Sequence, residues 1–326
     1  MKKVLLGLLA IIIIAVLGFV SYVNLSWQKD FSDGFPVDNN INISADSAAI
    51  ARGKYLTYGP AHCAHCHAPF ERLAEMESGV EVPLTGGFGL EIPPGKFNAP
   101  NITPDPETGI VNKSDGEIYR MLRHNIRPNG MATIDFMPFI NMSDEDIKAI
   151  IAYLRSTRPV KSELLNTEFS FLGKALLALE VIKPGVPDEP IPVSVEIAAT
   201  KEYGQYLSYA VTNCRGCHSD RDLKTGAYIG EYYAGGFVFD DNMTNGWKFT
   251  TPNLTNDPET GHMYEWTEER FIQRMKTGRV FDYSPMPWAA YASMDTVELQ
   301  AIYRYLKSID PVANKIATTA QLPEIE

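Results

Sequence analysis

The chain is poor in basic residues for its size. It holds 29 Lys and Arg against 40 Asp and Glu among 326 residues, which gives a formal net charge of −11. This balance argues against general nucleic-acid binding and favours a surface that steers basic partners. With 45% hydrophobic and 21% charged residues, the composition is that of a globular protein and not of a disordered one. The length predicts about two domains at ~150 residues each.

Cysteine is scarce as well, and its placement argues against two common uses of paired thiols. The four cysteines form two C-x-x-C pairs that are 148 residues apart (214 − 66). A structural zinc site would bring its second pair within about 20 residues. A thioredoxin-like disulfide would not need the histidine that follows each pair. Both pairs belong to the sequence C-x-x-C-H, which is the attachment signature of c-type haem.

The two motifs predict two covalently bound haem c groups. In each motif two thiols would form thioethers to the vinyl groups of one porphyrin, and the next residue would ligate the iron. The predicted attachment residues are Cys63 and Cys66 with the iron ligand His67, and Cys214 and Cys217 with the iron ligand His218. The remaining histidines have no matching histidine in the other half and are interpreted as surface or neighbouring residues: His62, His65, His124 and His262.

A single long apolar run lies near the N-terminus. Residues 4–23 are uncharged and follow Lys2 and Lys3, and roughly 20 apolar residues are enough to cross a bilayer. No small-residue cleavage site follows, while Tyr22 and Trp27 suit a membrane interface. We therefore predict an uncleaved anchor over residues 1–27, with a cleaved or lipid-modified leader as the alternative. The lysines would stay cytoplasmic, which places the remainder in the periplasm of a bacterium, on a single-pass inner-membrane protein.

An internal repeat divides the exported part into two homologous domains. Three segments recur in the same order: 53–67 with 204–218, 98–109 with 250–261, and 142–156 with 294–308. The predicted units are a first domain at 46–160, a linker at 161–199, a second domain at 200–311 and a tail at 312–326. The linker repeats nothing, and its segment "FLGKALLALEVI" would either cap a domain core or lie against the membrane or a partner.

Each domain is predicted to be mainly α-helical. Ser143 with Asp146 resembles an N-terminal cap, and apolar residues follow at helical spacing; Asp295 with Glu298 repeats this pattern. Long loops rich in Gly and Pro lie between the helices, as in "PLTGGFGLEIPPGKFNAP". Domains with so much loop usually need another group to fill the centre.

The second iron ligand is predicted to be a methionine that precedes the last helix of each domain. Met137 and Met286 are each followed by proline, and they lie 70 (137 − 67) and 68 (286 − 218) residues after their histidines. Met131 competes with Met137 in the first domain but has no counterpart in the second. Histidine and methionine together raise the reduction potential of a haem and fill both axial positions.

These motifs resemble tandem class I cytochrome c domains. More narrowly, the chain is similar to the membrane-anchored cytochrome c subunits of bacterial periplasmic alcohol, aldehyde and gluconate dehydrogenases. The resemblance rests on "GKYL", "GGF", "PNIT" and "PNLT", "DPETG" and "MSDEDI", and it covers about residues 46–309. Those subunits commonly carry three haem domains and a C-terminal membrane segment, whereas this chain has two haem motifs and an N-terminal apolar run.

The resemblance implies further contacts. It implies that Gly53 crosses Tyr153 and that Gly204 crosses Tyr305, where the first and last helices of each domain pack. It also implies that two loops border the haem and its propionates, which adds Asn101, Ile102, Asn253 and Leu254 to the predicted cofactor-binding residues.

The predicted function is electron transfer between a respiratory donor and a terminal acceptor. The donor would be a dehydrogenase or a quinol-oxidising complex, and the acceptor a terminal oxidase or similar redox protein; no catalytic residue is predicted. One alternative is a di-haem enzyme, such as a peroxidase or a thiosulfate-oxidising cytochrome. A peroxidase needs an open iron position, and a thiosulfate-oxidising haem prefers a cysteine ligand, for which none is spare. The other alternative is a haem-bearing assembly subunit of a membrane complex.

Overall fold

A computed structural model describes residues 1–163, 166–240 and 244–322 of the chain. It is mostly helical, as predicted. The helices are α1 (Lys2–Ser26), α2 (Ser47–Tyr58), α3 (Cys63–His67), α4 (Leu73–Glu77), α5 (Asp115–His124), α6 (Asp144–Ser156), α7 (Phe171–Ala178), α8 (Lys201–Tyr206), α9 (Cys214–Cys217), α10 (Glu268–Thr277), α11 (Trp288–Ser293) and α12 (Thr296–Leu306). The strands are β1 (Gly89–Ile92), β2 (Gly95–Asn98), β3 (Glu168–Phe169), β4 (Val238–Phe239), β5 (Lys248–Thr250) and β6 (Ala320–Gln321).

Side-chain caps set the start of several helices. The Ser114 hydroxyl accepts a hydrogen bond from Glu117 N, and the Glu117 carboxylate accepts one from Ser114 N, which forms a capping box at α5. Ser143 caps α6 as predicted, because its hydroxyl accepts from Asp146 N at 3.2 Å. The matching cap predicted for α12 is wrong. Asp295 makes no side-chain cap bond there, and the Glu298 carboxylate is occupied by other partners.

The first and last helices of each domain cross at a glycine. A Cβ on Gly53 of α2 would lie 1.8 Å from the Ala149 carbonyl oxygen of α6. A Cβ on Gly204 of α8 would lie 1.9 Å from the Ala301 carbonyl oxygen of α12. The Cβ atoms of the predicted crossing residues, Tyr153 and Tyr305, would lie 2.8 and 2.9 Å from these positions. Only a residue without a side chain lets the two backbones approach so closely.

Each domain also carries a small antiparallel sheet whose last strand lies outside the predicted domain bounds. β3 pairs with β2 through Glu168 and Phe169, and β6 pairs with β5 through Ala320 and Gln321. Residues after the linker and tail boundaries predicted at 161 and 312 therefore complete the sheets of the two domains. The sequence did not show this repeat because strand pairing uses backbone groups that every residue supplies. Residues 323–326 of the predicted tail lie outside the described residues.

The two domains pack against each other through equivalent residues. Tyr55 of α2 donates a hydrogen bond to Glu298 of the second domain, and Tyr206 donates to Asp146 of the first at 2.7 Å. Since Tyr55 matches Tyr206 and Asp146 matches Glu298 in the repeat, the domains are related by an approximate two-fold axis. Arg52 breaks this symmetry: it pairs with Asp146 at 2.9 Å and lies 3.4 Å from Glu298.

The segment after α1 is held on the first domain. Phe31 N donates to the Gly130 carbonyl at 2.9 Å, and the Arg120 guanidinium donates to Ser32 Oγ at 3.1 Å and to the Phe35 carbonyl at 3.2 Å. Among the described residues, α1 is long and apolar enough to span a membrane. It is thus joined to the first domain by a bonded segment, which limits the domain's freedom to swing about α1.

Candidate haem sites

The two C-x-x-C-H motifs form short helices, α3 and α9, that begin in the same way. The residue before each has a left-handed backbone, with φ of +40° at His62 and +55° at Asn213. His and Asn are among the non-glycine residues that tolerate this region best. The left-handed backbone at this position is therefore a sufficient reason for a histidine at 62, and no role in binding metal is needed to explain it. The two cysteines of each motif form no disulfide, and they are three residues apart, about one helical turn.

Both motif histidines are oriented by a backbone carbonyl. His67 Nδ1 lies 2.8 Å from the Pro100 carbonyl oxygen, and His218 Nδ1 lies 3.1 Å from that of Pro252. When Nδ1 carries the proton and donates to this oxygen, Nε2 keeps its lone pair for a metal. Burial lowers the pKa of His67, and it lowers that of His218 to about 4. Both imidazoles are therefore neutral at pH 7, which is the form that ligates iron.

Buried asparagines shape the loops that supply these carbonyls. The Asn101 side-chain oxygen accepts from Thr103 N at 2.9 Å, and its amide donates to the Val160 carbonyl at 2.7 Å. Asn253 makes the equivalent bonds, from Thr255 N at 2.9 Å and to the Val312 carbonyl at 2.8 Å. Both were predicted to border the haem. The structure places them next to the prolines, where they hold the loop that orients each histidine.

A cavity of about 250 Å³ lies inside the second domain. Its walls bring together Cys214, Cys217, His218 and Met286, the four residues predicted to hold that haem. Leu254, predicted from the resemblance, also lines it. The other walls are largely apolar and aromatic, and they include Phe249, Trp266, Phe271 and Tyr291. Two thiols, an imidazole and a thioether around an apolar space are the donor set and surroundings that a haem c requires.

The structure separates the two candidate methionines of the first domain. Met137 packs against the main core, as do the attachment residue Cys63 and the loop residue Ile102. Met131 is buried in a different cluster with Ala132 and residues of α7 and its C-terminal side. This arrangement favours Met137 over Met131 as the ligand.

Sequence reasoning missed two residues at the second site. Tyr291 of α11 donates from its hydroxyl to the Thr212 carbonyl at 2.6 Å, and its ring packs against His62 of the first domain. Arg274 lines the cavity and stacks on Trp288, with 3.6 Å between the guanidinium carbon and the ring centroid. Neither residue has a matching residue in the aligned segments of the first domain, so only the tertiary contacts identify them.

The fold and these sites define a helical protein built to hold haem covalently. Comparison with known proteins places it more narrowly, because residues 50–158 match the cytochrome c family. This part of the chain is thus a cytochrome c domain, which implies covalently bound haem c.

Several characterised bacterial proteins are similar to the chain. It is 29% identical to the cytochrome c subunit of alcohol dehydrogenase (quinone) from Gluconobacter oxydans, over 82% of the chain and 56% of that protein. It is 27% identical to the gluconate 2-dehydrogenase cytochrome c subunit of Pantoea cypripedii, over 81% and 60%. It is 28% identical to a nicotinate dehydrogenase subunit of Pseudomonas putida, over 98% and 26%. The chain therefore spans between a quarter and three fifths of these relatives.

Proposed function

We propose that the chain is a membrane-anchored, periplasmic di-haem cytochrome c that carries electrons between a respiratory donor and a terminal acceptor. The observation that carries the proposal is the cavity of the second domain, where both thiols, the imidazole and Met286 line one apolar space. The first domain repeats the His-to-proline-carbonyl arrangement, which supports a second haem there.

Each domain supplies the same four groups to its haem. The two cysteines attach the porphyrin, and the pair His67 and Met137 or the pair His218 and Met286 ligates the iron. When bound, the haem supplies reversible one-electron chemistry. With a histidine and a methionine holding the iron in each domain and apolar walls excluding water, no iron position would be left open for peroxide or oxygen. This favours an electron carrier over a di-haem peroxidase.

The packing of the domains supports transfer from one haem to the other. The attachment motifs face the shared interface, since His62 beside the first motif contacts the Tyr291 ring of the second domain with 5.9 Å between ring centroids. The first attachment motif therefore lies at the interface between the two domains.

The relatives support a redox partner and a position at the membrane. Two of them are cytochrome c subunits of dehydrogenases, so we propose a dehydrogenase or a quinol-oxidising complex as donor and a terminal oxidase as acceptor. We propose that α1 crosses the bacterial inner membrane once, with both haem domains on the periplasmic side.

Haem content and ligand binding test this function. The full-length protein, produced with periplasmic haem attachment, should contain two haem c groups per chain and show two reversible one-electron steps in a redox titration. A Cys214→Ala, Cys217→Ala double variant is the matched control and should retain one haem. Neither reduced haem should bind carbon monoxide readily. Rapid stoichiometric binding, or peroxide turnover above that of free haem, would favour an enzyme instead.

A further inference from the structure

The helix α7 lies beside the outer end of α1, and its contacts with α1 fall between Phe19 and Trp27. Phe171, at the start of α7, meets Phe19 of α1 edge to face, with 6.3 Å between ring centroids. Val23 is completely buried against Ala175 and Ala178. Tyr22 donates from its hydroxyl to the Ala178 carbonyl at 3.0 Å. The two helices therefore form one packed unit.

The contact between Phe171 and Phe19 indicates the depth of the first residue of α7. Phe19 lies four residues before Val23, the last residue of the apolar run, and four residues of α-helix rise about 6 Å. A side chain level with Phe19 is thus about 6 Å inside the outer end of the membrane-spanning segment. Helices that lie in a membrane interface bury their apolar face by about 5–10 Å.

Amphipathic side chains lie near the outer end of α1, beyond the level of Phe19. The Lys174 ammonium lies 5.2 Å from the centroid of the Trp27 ring, and Lys29 pairs with Glu180. Tryptophan and lysine near the end of a spanning helix are typical of the region of lipid headgroups. Phe171 is on the membrane side of this group.

One side of the α7 region is left uncovered by the residues that the structure describes. Leu176 and Leu177 pack on the first domain beneath Met131, and Ala175 and Ala178 pack on α1. What remains exposed is large and apolar: Phe171 is 47% exposed, Leu179 53% and Val181 46%. Phe171 adjoins the exposed apolar surface of α1 at Phe19, so one occupant can cover both surfaces.

We propose that α7 lies in the outer interface of the bilayer and docks the first haem domain onto the lipid surface. The inference rests on α1 being a retained membrane anchor, which is part of the proposed function. It goes beyond that function because it makes the first domain membrane-proximal in a fixed orientation. The segment bonded to the domain by Phe31 and Arg120 supplies the rigid connection.

Photochemical crosslinking to lipid tests this placement. The full-length, haem-loaded protein is reconstituted in phosphatidylcholine vesicles, with p-benzoylphenylalanine replacing one residue at a time. Positions 171 and 179 test α7, and position 9 tests the anchor. Ile229, which is 66% exposed in the second domain, is the matched apolar control. We expect phospholipid adducts at positions 9, 171 and 179, and only background at 229.

The outcomes distinguish the two claims. Lipid adducts at position 9 with none at 171 and 179 would overturn the interfacial helix and leave the anchor standing. An absence of lipid adducts at all three positions would overturn both the interfacial helix and the membrane anchor. The same variants irradiated in native membranes address other occupants, since adducts of 171 or 179 with a protein or a second copy of the chain would mean that α7 docks there instead. Haem content of each variant verifies its fold.

Discussion

At the scale of single residues, the proposed iron ligands depend on neighbours that would not themselves contact the metal. His67 and His218 are aimed by proline carbonyls, and those carbonyls are placed by loops that Asn101 and Asn253 hold together. The same dependence applies to the methionines. Two of them precede the last helix of the first domain, and their surroundings decide which is available.

Replacing these two methionines should separate ligation from packing. Met137→Ala should leave the haem attached through Cys63 and Cys66 but open one iron position, so that the reduced protein binds carbon monoxide. Met131→Ala should keep both iron ligands and cost about 2–5 kcal/mol of stability, because it empties a buried site. Carbon monoxide binding and denaturant unfolding distinguish the two effects. If Met131→Ala bound carbon monoxide and Met137→Ala did not, Met131 would be the iron ligand and Met137 the packing residue.

Acid sensitivity should depend in part on His124. Burial, followed by the charges of Arg123 and Arg120, lowers its pKa, while its Nδ1 lies 2.9 Å from the Gly185 carbonyl and its ring contacts Phe35. Near and below a pH of about 6.5, the ordinary pKa of histidine, this residue therefore binds more protons in the unfolded chain than in the folded one. Stability is therefore complete above that pH and falls as the pH decreases through it.

His124→Gln should reduce this loss of stability at acid pH, while its side-chain amide keeps a hydrogen-bond donor for the Gly185 carbonyl. We expect the free energy of unfolding to fall less steeply between pH 7 and pH 5, by at most about 1.4 kcal/mol per pH unit below 6.5. Denaturant unfolding of wild type and variant at both pH values measures it. Parallel pH profiles would show that His124 does not titrate on unfolding.

At the scale of elements, each domain depends on one helix crossing. Gly53→Ala should destabilise the first domain by about 3 kcal/mol or more, because its methyl group would overlap the Ala149 carbonyl and force α2 and α6 apart. Gly34→Ala is the matched control. Its added Cβ would have the Phe31 carbonyl oxygen as nearest neighbour at 3.9 Å, so a change within about 1 kcal/mol is expected. Similar unfolding midpoints for both variants would contradict the crossing.

Some elements were predictable from local patterns and others were not. The cap and apolar stripe of α6 are local, so the sequence predicted that helix correctly. Asp295 and Glu298 have the same local pattern, yet Glu298 is turned to Arg52, Tyr55 and Tyr203 across the core and interface. A buried carboxylate surrounded by donors is better satisfied there than at a solvent-facing cap.

At the scale of the whole molecule, two tyrosines contribute equivalent hydrogen bonds across the domain interface. Tyr55→Phe and Tyr206→Phe should each cost about 1.5–3 kcal/mol, the usual range for a hydrogen bond to a charged group. We expect the double variant to unfold in two separate calorimetric transitions. Tyr58→Phe is the control, because its hydroxyl donates to the Val82 carbonyl within the first domain at 2.8 Å. Separate transitions in this control would show that the interface is not the cause.

The sequence by itself determined the chemistry and the duplication. C-x-x-C-H and the methionines that follow it are short patterns whose spacing is enough to indicate a haem, its ligands and a repeated domain. The crossing glycines were implied only by the family resemblance. The apolar run of 4–23 likewise indicates a membrane anchor through length and composition alone.

Only the tertiary structure decided how these parts fit together. It separated Met137 from Met131, extended both domains by a strand, turned Glu298 into the interface and placed α7 beside α1. Each of these depends on contacts between residues far apart in the chain. Such contacts are selected by the packing of whole surfaces and by backbone hydrogen bonds, and neither leaves a local pattern in the sequence.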